Sequence, residues 1–148
     1  MKIRGLSGDN KGFTLLEIVI VIIIIGVLAG LALPQYVGYV ERTRAAEAMN
    51  AIGAIKVAET DYKLRTGSYK YCANNVDVNT HLGVMLSTRY WNYVANYSGD
   101  DLTITATRTS EGGGGGSGNT IVYTYSAPTA SGTAGTMSWS GNHSGVPK

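Results

Sequence analysis

The pattern of apolar and polar positions changes character twice along the chain. Residues 13–33 are apolar apart from Thr14 and a single charged side chain, Glu17. A run of that length is enough for a helix that crosses a bilayer. Beyond Pro34 the pattern turns amphipathic. Ala48, Ile52, Ile55, Ala58 and Tyr62 recur at spacings of three and four, which is the stripe of a two-faced helix. Glu41, Arg42, Arg44, Glu47, Lys56, Glu59, Asp61 and Lys63 fall mostly elsewhere. Gly67 suits the position just past a helix C-terminus, so the helix is predicted to stop near Thr66. A rod from Phe13 to Arg65 would measure about 80 Å at a rise of about 1.5 Å per residue.

The second change comes after the helix. Residues 66–89 form a connector made turn-rich by Asn74, Asn75, Asp77 and Asn79, with a helical piece expected around His81 to Ser87. Alternation of period two then predicts strands at Tyr90–Tyr97, Leu102–Thr107, Thr120–Tyr125 and Thr136–Ser140. Ser98-Gly99-Asp100-Asp101 reads as a hairpin turn, and Gly112–Gly116 with Ser117, Gly118 and Asn119 as a flexible tip. The expected fold class is α+β. A long N-terminal helix has a membrane-spanning half and an amphipathic half, and the latter packs against a C-terminal antiparallel sheet of three to four strands. One face of that sheet covers the helix stripe.

Chemistry concentrates at the start of the apolar run. A carboxylate inside such a run is costly and by default has a partner and a role, which singles out Glu17. Lys2, Arg4 and Lys11 precede the run, and Gly12 marks its junction with Phe13. Further on, Gly26, Gly30 and Pro34 recur every four residues. Pro34 has no N–H to give to the carbonyl of Gly30, and Gly26 to Gly30 forms a small-xxx-small packing surface. This stretch is the softest part of the helix.

The sequence Gly12-Phe13-Thr14-Leu15-Leu16-Glu17 at the head of that run closely resembles the signal of the type IV pilin superfamily. The resemblance is specific from Gly12 to about Arg44. It implies that a prepilin peptidase cuts between Gly12 and Phe13 and that the new amine of Phe13 is methylated. Glu17 then becomes the fifth residue of the mature chain, where the family carries its glutamate. Phe13 and Glu17 are four apart, so both are expected to lie on one helix face. Between chains stacked with an axial offset, the Glu17 carboxylate of one would meet the Phe13 amine of the next, and an unpaired charge there costs several kcal/mol. The family also carries a helix-breaking proline at the place of Pro34, which implies a segment between Gly26 and Pro34 that unwinds on packing. The implied organisation is a leader over 1–12, a transmembrane and assembly helix over 13–34, and a globular head over 35–148.

Other readings of the N-terminus fit less well. An ordinary secretory signal cut after Ala32 would need an apolar region of about 7–15 residues, and this run is longer and holds a glutamate. A plain single-pass anchor explains the run but not Gly12 beside Phe13, nor Glu17. Removing the leader takes away Lys2, Arg4, Lys11 and Asp9, and with them the whole net charge of +2. No basic field then remains for non-specific nucleic acid binding. Cys72 is the one cysteine, so no intrachain disulfide forms, and the bracketing disulfide of many pilins is absent.

Sites for other chemistry are poorly represented. His81 and His143 have no ligand spacing around them, and Asp100 and Asp101 read as turn residues, so neither a metal nor another cofactor is expected. The glycine run lacks the Lys-Ser/Thr of a phosphate loop. Cys72 reads as a small buried hydrophobe. Asn96-Tyr97-Ser98 and Asn142-His143-Ser144 match a glycan acceptor pattern, a reading that carries little weight in a bacterial host. The ten tyrosines, Tyr36, Tyr39 and Tyr62 among them, read as packing residues. No nucleophile–base constellation supports an enzyme.

The expected function is structural. The chain would polymerise with copies of itself after processing, moving from the inner membrane to an extracellular pilus through the assembly machinery. Two alternatives stand beside it: a pseudopilin of a type II secretion system, and a monomeric membrane-tethered adhesive module. The calcium-binding and Trp-Gly-Pro-like features of a major pseudopilin are missing from the C-terminal part.

Overall fold

The computed structural model describes residues 12–87, 89–110, 118–128 and 135–142, without the side chain of Pro34. One helix, α1 (Leu15–Thr66), carries both the apolar run and the amphipathic stripe. It ends where the sequence provides a glycine. Gly67 has φ 89°, and its N–H donates to the Lys63 carbonyl at 2.8 Å, the geometry of a left-handed C-terminal cap. The chain divides into two compact units, Met1–Gly38 and Tyr39–Lys148.

In the second unit, α1 is followed by α2 (Asn75–Leu82), β1 (Trp91–Ser98), β2 (Asp101–Arg108), β3 (Thr120–Ser126) and β4 (Thr136–Gly141). The four strands form an antiparallel meander in the order β1-β2-β3-β4. All four lie within a residue of the positions that alternation predicts. Gly99, with φ 59°, is the first of the two residues between paired Ser98 and Asp101, where a type II′ turn needs a glycine.

Trp91, Tyr93 and Ala95 of β1, Leu102, Ile104 and Ala106 of β2, and Ile121 and Tyr123 of β3 are all buried. They meet Ala45, Ala48, Ile52 and Ile55 of α1 in a single cluster. Alanines at two central strand positions and two helix positions leave room for the isoleucines and aromatics to interlock. The buried helix positions are 45, 48, 52, 55 and 59. The stripe therefore ends on Glu59, while Ala58 and Tyr62, expected within it, are half-buried at its flank.

The connector differs from expectation. Its helix spans Asn75–Leu82, not His81 to Ser87. Asn74 is its N-cap and accepts the Asp77 N–H at 3.0 Å, and Asp77 in turn accepts the Ala73 N–H at 3.0 Å. The Asn74 cap satisfies an N-terminal donor that the helix itself cannot, and Asp77 ties down the residue before the cap. Gly83, with φ 67°, closes the other end. The Asn/Asp cluster that reads as turn chemistry is thus a helix start, and the glycine two residues after His81 prevents continuation.

That helix delivers Asn75 to the outer edge of β1. The Asn75 amide nitrogen donates to the Trp91 carbonyl at 2.9 Å, and its oxygen accepts the Tyr93 N–H at 2.6 Å. Cys72 continues the series with two backbone bonds to Ala95, each 2.9 Å. A side chain and an isolated bridge together serve as a fifth strand, sealing an edge that would otherwise present free backbone groups. At the other edge β4 is largely exposed. Most of the glycine tip lies outside the described residues. At its end, Gly118 has φ 84°, and Asn119 accepts the Arg108 N–H at 2.8 Å.

The candidate assembly segment and the clamp of the head

Gly12, Phe13 and Thr14 precede α1. Phe13 is 80% exposed and lies outside the helix, so it does not share a helical face with Glu17 as the spacing alone suggests. The reason is Thr14. Its hydroxyl accepts the Glu17 N–H at 3.2 Å, making Thr14 the N-cap and Glu17 the third helical residue. Thr14-x-x-Glu17 is the pattern of a capping box, a signal that the sequence itself carries. Glu17 also places a carboxylate in the first turn, where the helix dipole favours it.

Every described side chain from Phe13 to Tyr39 is exposed. The apolar part reaches a mean hydropathy of 3.0 over eighteen residues with none of it buried within the chain. Ile22, Ile23, Ile24 and Ile25 point to four sides of the helix and are all more than half exposed. A helix apolar all round is stable only in lipid or among other apolar helices. Gly26 and Gly30 lie within the unbroken helix, as does the backbone of Pro34. A Cβ added at Gly26 or Gly30 would meet no atom within 4 Å. Among the described residues no contact asks for glycine at either place.

The head carries a charged arrangement built on Glu41 and Arg44, which the sequence places off the apolar stripe, and on Arg108 of β2. Arg108 sits at the end of the inward series Leu102, Ile104, Ala106 of β2 and is 3% exposed. Its two terminal nitrogens reach the two Glu41 oxygens at 2.6 and 3.2 Å. Arg44 adds a contact to Glu41 Oε1 at 3.0 Å. The Arg108 guanidinium lies 5.7 Å from the centre of the Trp91 ring, and the Trp91 indole N–H donates to the Arg44 carbonyl at 3.0 Å. Helix, β1 and β2 are joined here by one charged cluster. The alternation of β2 was the signal, since it puts position 108 on the buried face.

Other ionisable groups are tuned by burial. Glu59 has no exposed surface. Its Oε2 accepts the Lys70 N–H at 2.8 Å, while Oε1 has no hydrogen-bond partner among the described residues. Loss of hydration pushes its carboxyl up, against the pull of the Lys70 N–H. Burial likewise pushes the Cys72 thiol up to about 11, with the Glu59 charge adding to it. Cys72 is thus an inert core residue. His81 is exposed on α2, and His143 lies outside the described residues. Among the described residues no three His, Cys, Asp or Glu side chains converge on a common point.

Comparison with known proteins bears on both units. Residues 8–33 match the model of the prokaryotic N-terminal methylation motif. Residues 41–148 match the model of pilin, a bacterial filament protein. The chain belongs to the pilin family. Among relatives, this pilin is 39% identical over 99 residues to the fimbrial protein EcpC of Eikenella corrodens, covering 66% of this chain and 62% of the relative. It is 38% identical to the type IV major pilin protein PilE of Neisseria gonorrhoeae, covering 66% and 56%. It is 30% identical to the type IV major pilin protein PilA of Myxococcus xanthus, covering 68% and 44%. These alignments span less than two thirds of each relative's length. No solved structure matches this pilin at a significant level. The family is one of structural subunits.

Proposed function

We propose that this pilin polymerises into a type IV pilus-like filament after a peptidase cuts between Gly12 and Phe13 and the Phe13 amine is methylated. The observation that carries the reading is an apolar helix exposed on all sides with one carboxylate, Glu17, in its first turn. The bilayer shields that surface before assembly, and the helices of neighbouring copies shield it afterwards. The partners are therefore the prepilin peptidase, the inner membrane, the assembly machinery and the chain itself, with the filament outside the cell. Glu17 in one copy pairs with the Phe13 amine of its neighbour and fixes the axial register. The cap at Thr14 favours this pairing between chains, since it leaves the Phe13 end clear of its own helix. Gly26, Gly30 and Pro34 supply the softness that packing requires.

Electron microscopy of material sheared from cells, with intact-mass measurement, tests this function. Fibres built of a chain that begins at Phe13 are expected. Gly12→Val should leave the uncut chain in the membrane, and Glu17→Ala should insert normally but yield few fibres. A chain recovered only as a detergent-soluble monomer, or full fibre yield from Glu17→Ala at equal membrane levels, would overturn it.

A further inference from the structure

The head carries a cavity that the filament reading leaves unused. It has a volume of about 230 Å³ and is lined by Lys56, Thr60, Tyr69, Leu102, Tyr125 and Met137. Its floor is apolar: Leu102 and Tyr69 are 1% and 5% exposed. Met137, 59% exposed, stands at the rim on the open strand β4. Lys56 comes from α1. Its ammonium lies 3.5 Å from the Met137 sulfur and 5.4 Å from the centre of the Tyr123 ring. A thioether and a ring face are weak partners for a strongly hydrated ammonium.

Neighbouring charges are already matched. Lys63 lies 2.7 Å from Asp100 and 4.3 Å from the centre of the Tyr69 ring, so the Asp100 charge is compensated beside the cavity wall. Among the described residues no carboxylate lies within ion-pair distance of Lys56. A half-buried cation without an anion among the described residues, opening onto aromatic and thioether walls, has the composition of a ligand site: mostly apolar, with a few polar groups that fix orientation.

From this geometry we infer that the cavity binds a small organic acid, a carboxylate on an aromatic or branched aliphatic frame. The Lys56 ammonium takes the carboxylate, while the Thr60 hydroxyl at the wall already donates to the Lys56 carbonyl at 2.8 Å. The frame packs between Tyr69, Tyr125 and Met137 over Leu102. The volume equals that of several waters at about 30 Å³ each, which suits one ring with its acid group. Binding exchanges the hydration of the ammonium for a charge-assisted hydrogen bond and removes the ring from water.

The test uses the mature chain in detergent micelles with its methionine methyls labelled with carbon-13. Benzoate is the probe, and benzamide is its neutral match in shape. Benzoate is expected to shift the Met137 methyl saturably while Met49 and Met85 stay in place. Benzamide should bind at least tenfold more weakly. Lys56→Met should abolish the difference between the two probes, and Lys56→Arg should restore it, which also shows that the site tolerates substitution. Equal binding of both probes to the wild type, a benzoate preference that survives in Lys56→Met, or equal shifts of all three methyls would overturn the assignment. Filament formation is not part of the readout, so this result and that of the filament experiment are independent.

Discussion

Arg108 and Glu41 are 67 residues apart in sequence and form a two-pronged ion pair, with N–O distances of 2.6 and 3.2 Å. The arginine side chain is 1% exposed and the glutamate 22%. Arginine's planar fork matches the carboxylate in a way lysine's point charge does not. The pair binds the last inward position of β2 to the part of α1 that opens the head, and Trp91 packs beside it.

Removing one partner takes from a buried charge the two-pronged part of its compensation. For a fully buried pair that costs about 3–5 kcal/mol, and the partial exposure of Glu41 puts the expected loss for Glu41→Gln near the low end. Arg108→Met keeps much of the packing while leaving Glu41 to Arg44 and water, so its cost should be smaller. The double variant should lose less than the two single losses added together. Urea unfolding followed by tryptophan fluorescence measures all three, and strict additivity would show that the two residues do not depend on one another.

Glu59 gives the head a pH dependence on the acid side. Its folded pKa is raised above the ordinary 4.5 by burial. A raised carboxyl pKa means that the folded state holds its proton more tightly than the unfolded state. The resulting stability is fully present below the unfolded pKa and is lost as pH rises through the folded one. Glu59→Gln keeps the shape, the neutral charge and an acceptor for the Lys70 N–H. It is expected to melt above the wild type at pH 8, with the gap closing towards pH 4.5. Melting curves of both proteins across that range cancel the titration of all other groups, and a gap that stays constant with pH would disprove the linkage.

Much of this architecture could be read in the sequence, for identifiable reasons. Alternation in Leu102–Thr107 and Thr120–Tyr125 fixes both the strands and their buried faces, because a strand must show one side to the core. Gly67 gives the helix end because few other residues take its backbone conformation cheaply. What escaped were polar residues in buried roles. Arg108, Glu59 and Asn75 look like surface residues, yet each is more than nine-tenths buried. Their placement depends on partners from other elements: Glu41 on α1, Lys70 in the connector, and Trp91 with Tyr93 on β1. The same limit applies at the N-terminus. Gly12 and Glu17 stand out by type, while the Thr14 cap that separates Phe13 from the helix was a local pattern overlooked beside the apolar run.

The Cys72 thiol should be slow to react for a reason beyond access. With its pKa at about 11 in place of 9.0, the thiolate fraction at pH 8 falls about a hundredfold, and the thiolate is the reactive form. Burial slows reaction further. Iodoacetamide labelling of the folded chain at pH 8 is therefore expected to run more than a hundredfold slower than in urea, as intact mass would show. Rates within tenfold of each other would mean that the Cys72–Ala95 bridge opens readily and that the sealed edge of β1 is only loosely held.

The soft segment of α1 offers the sharpest test of how a subunit adapts to the filament. The helix is continuous from Leu15 to Thr66 in the single chain, and glycine at 26 and 30 meets no crowding that would require it. Each glycine nonetheless weakens a helix by up to about 1 kcal/mol relative to alanine, and proline by about 3. Three such positions within nine residues make this the stretch that opens at least cost. In a packed fibre the surrounding helices can shield the freed backbone groups, as lipid tails cannot. The triple variant Gly26→Ala, Gly30→Ala, Pro34→Ala is expected to stay fully helical in micelles, with greater resistance of these amides to hydrogen exchange. It should form fibres poorly or with an altered rise. Helical reconstruction of wild-type fibres decides the mechanism. An extended stretch between Gly26 and Pro34 is expected, and a helix that stays unbroken from Leu15 to Thr66 in the fibre, as it is in the single chain, would reduce Pro34 to a local irregularity and end the proposal.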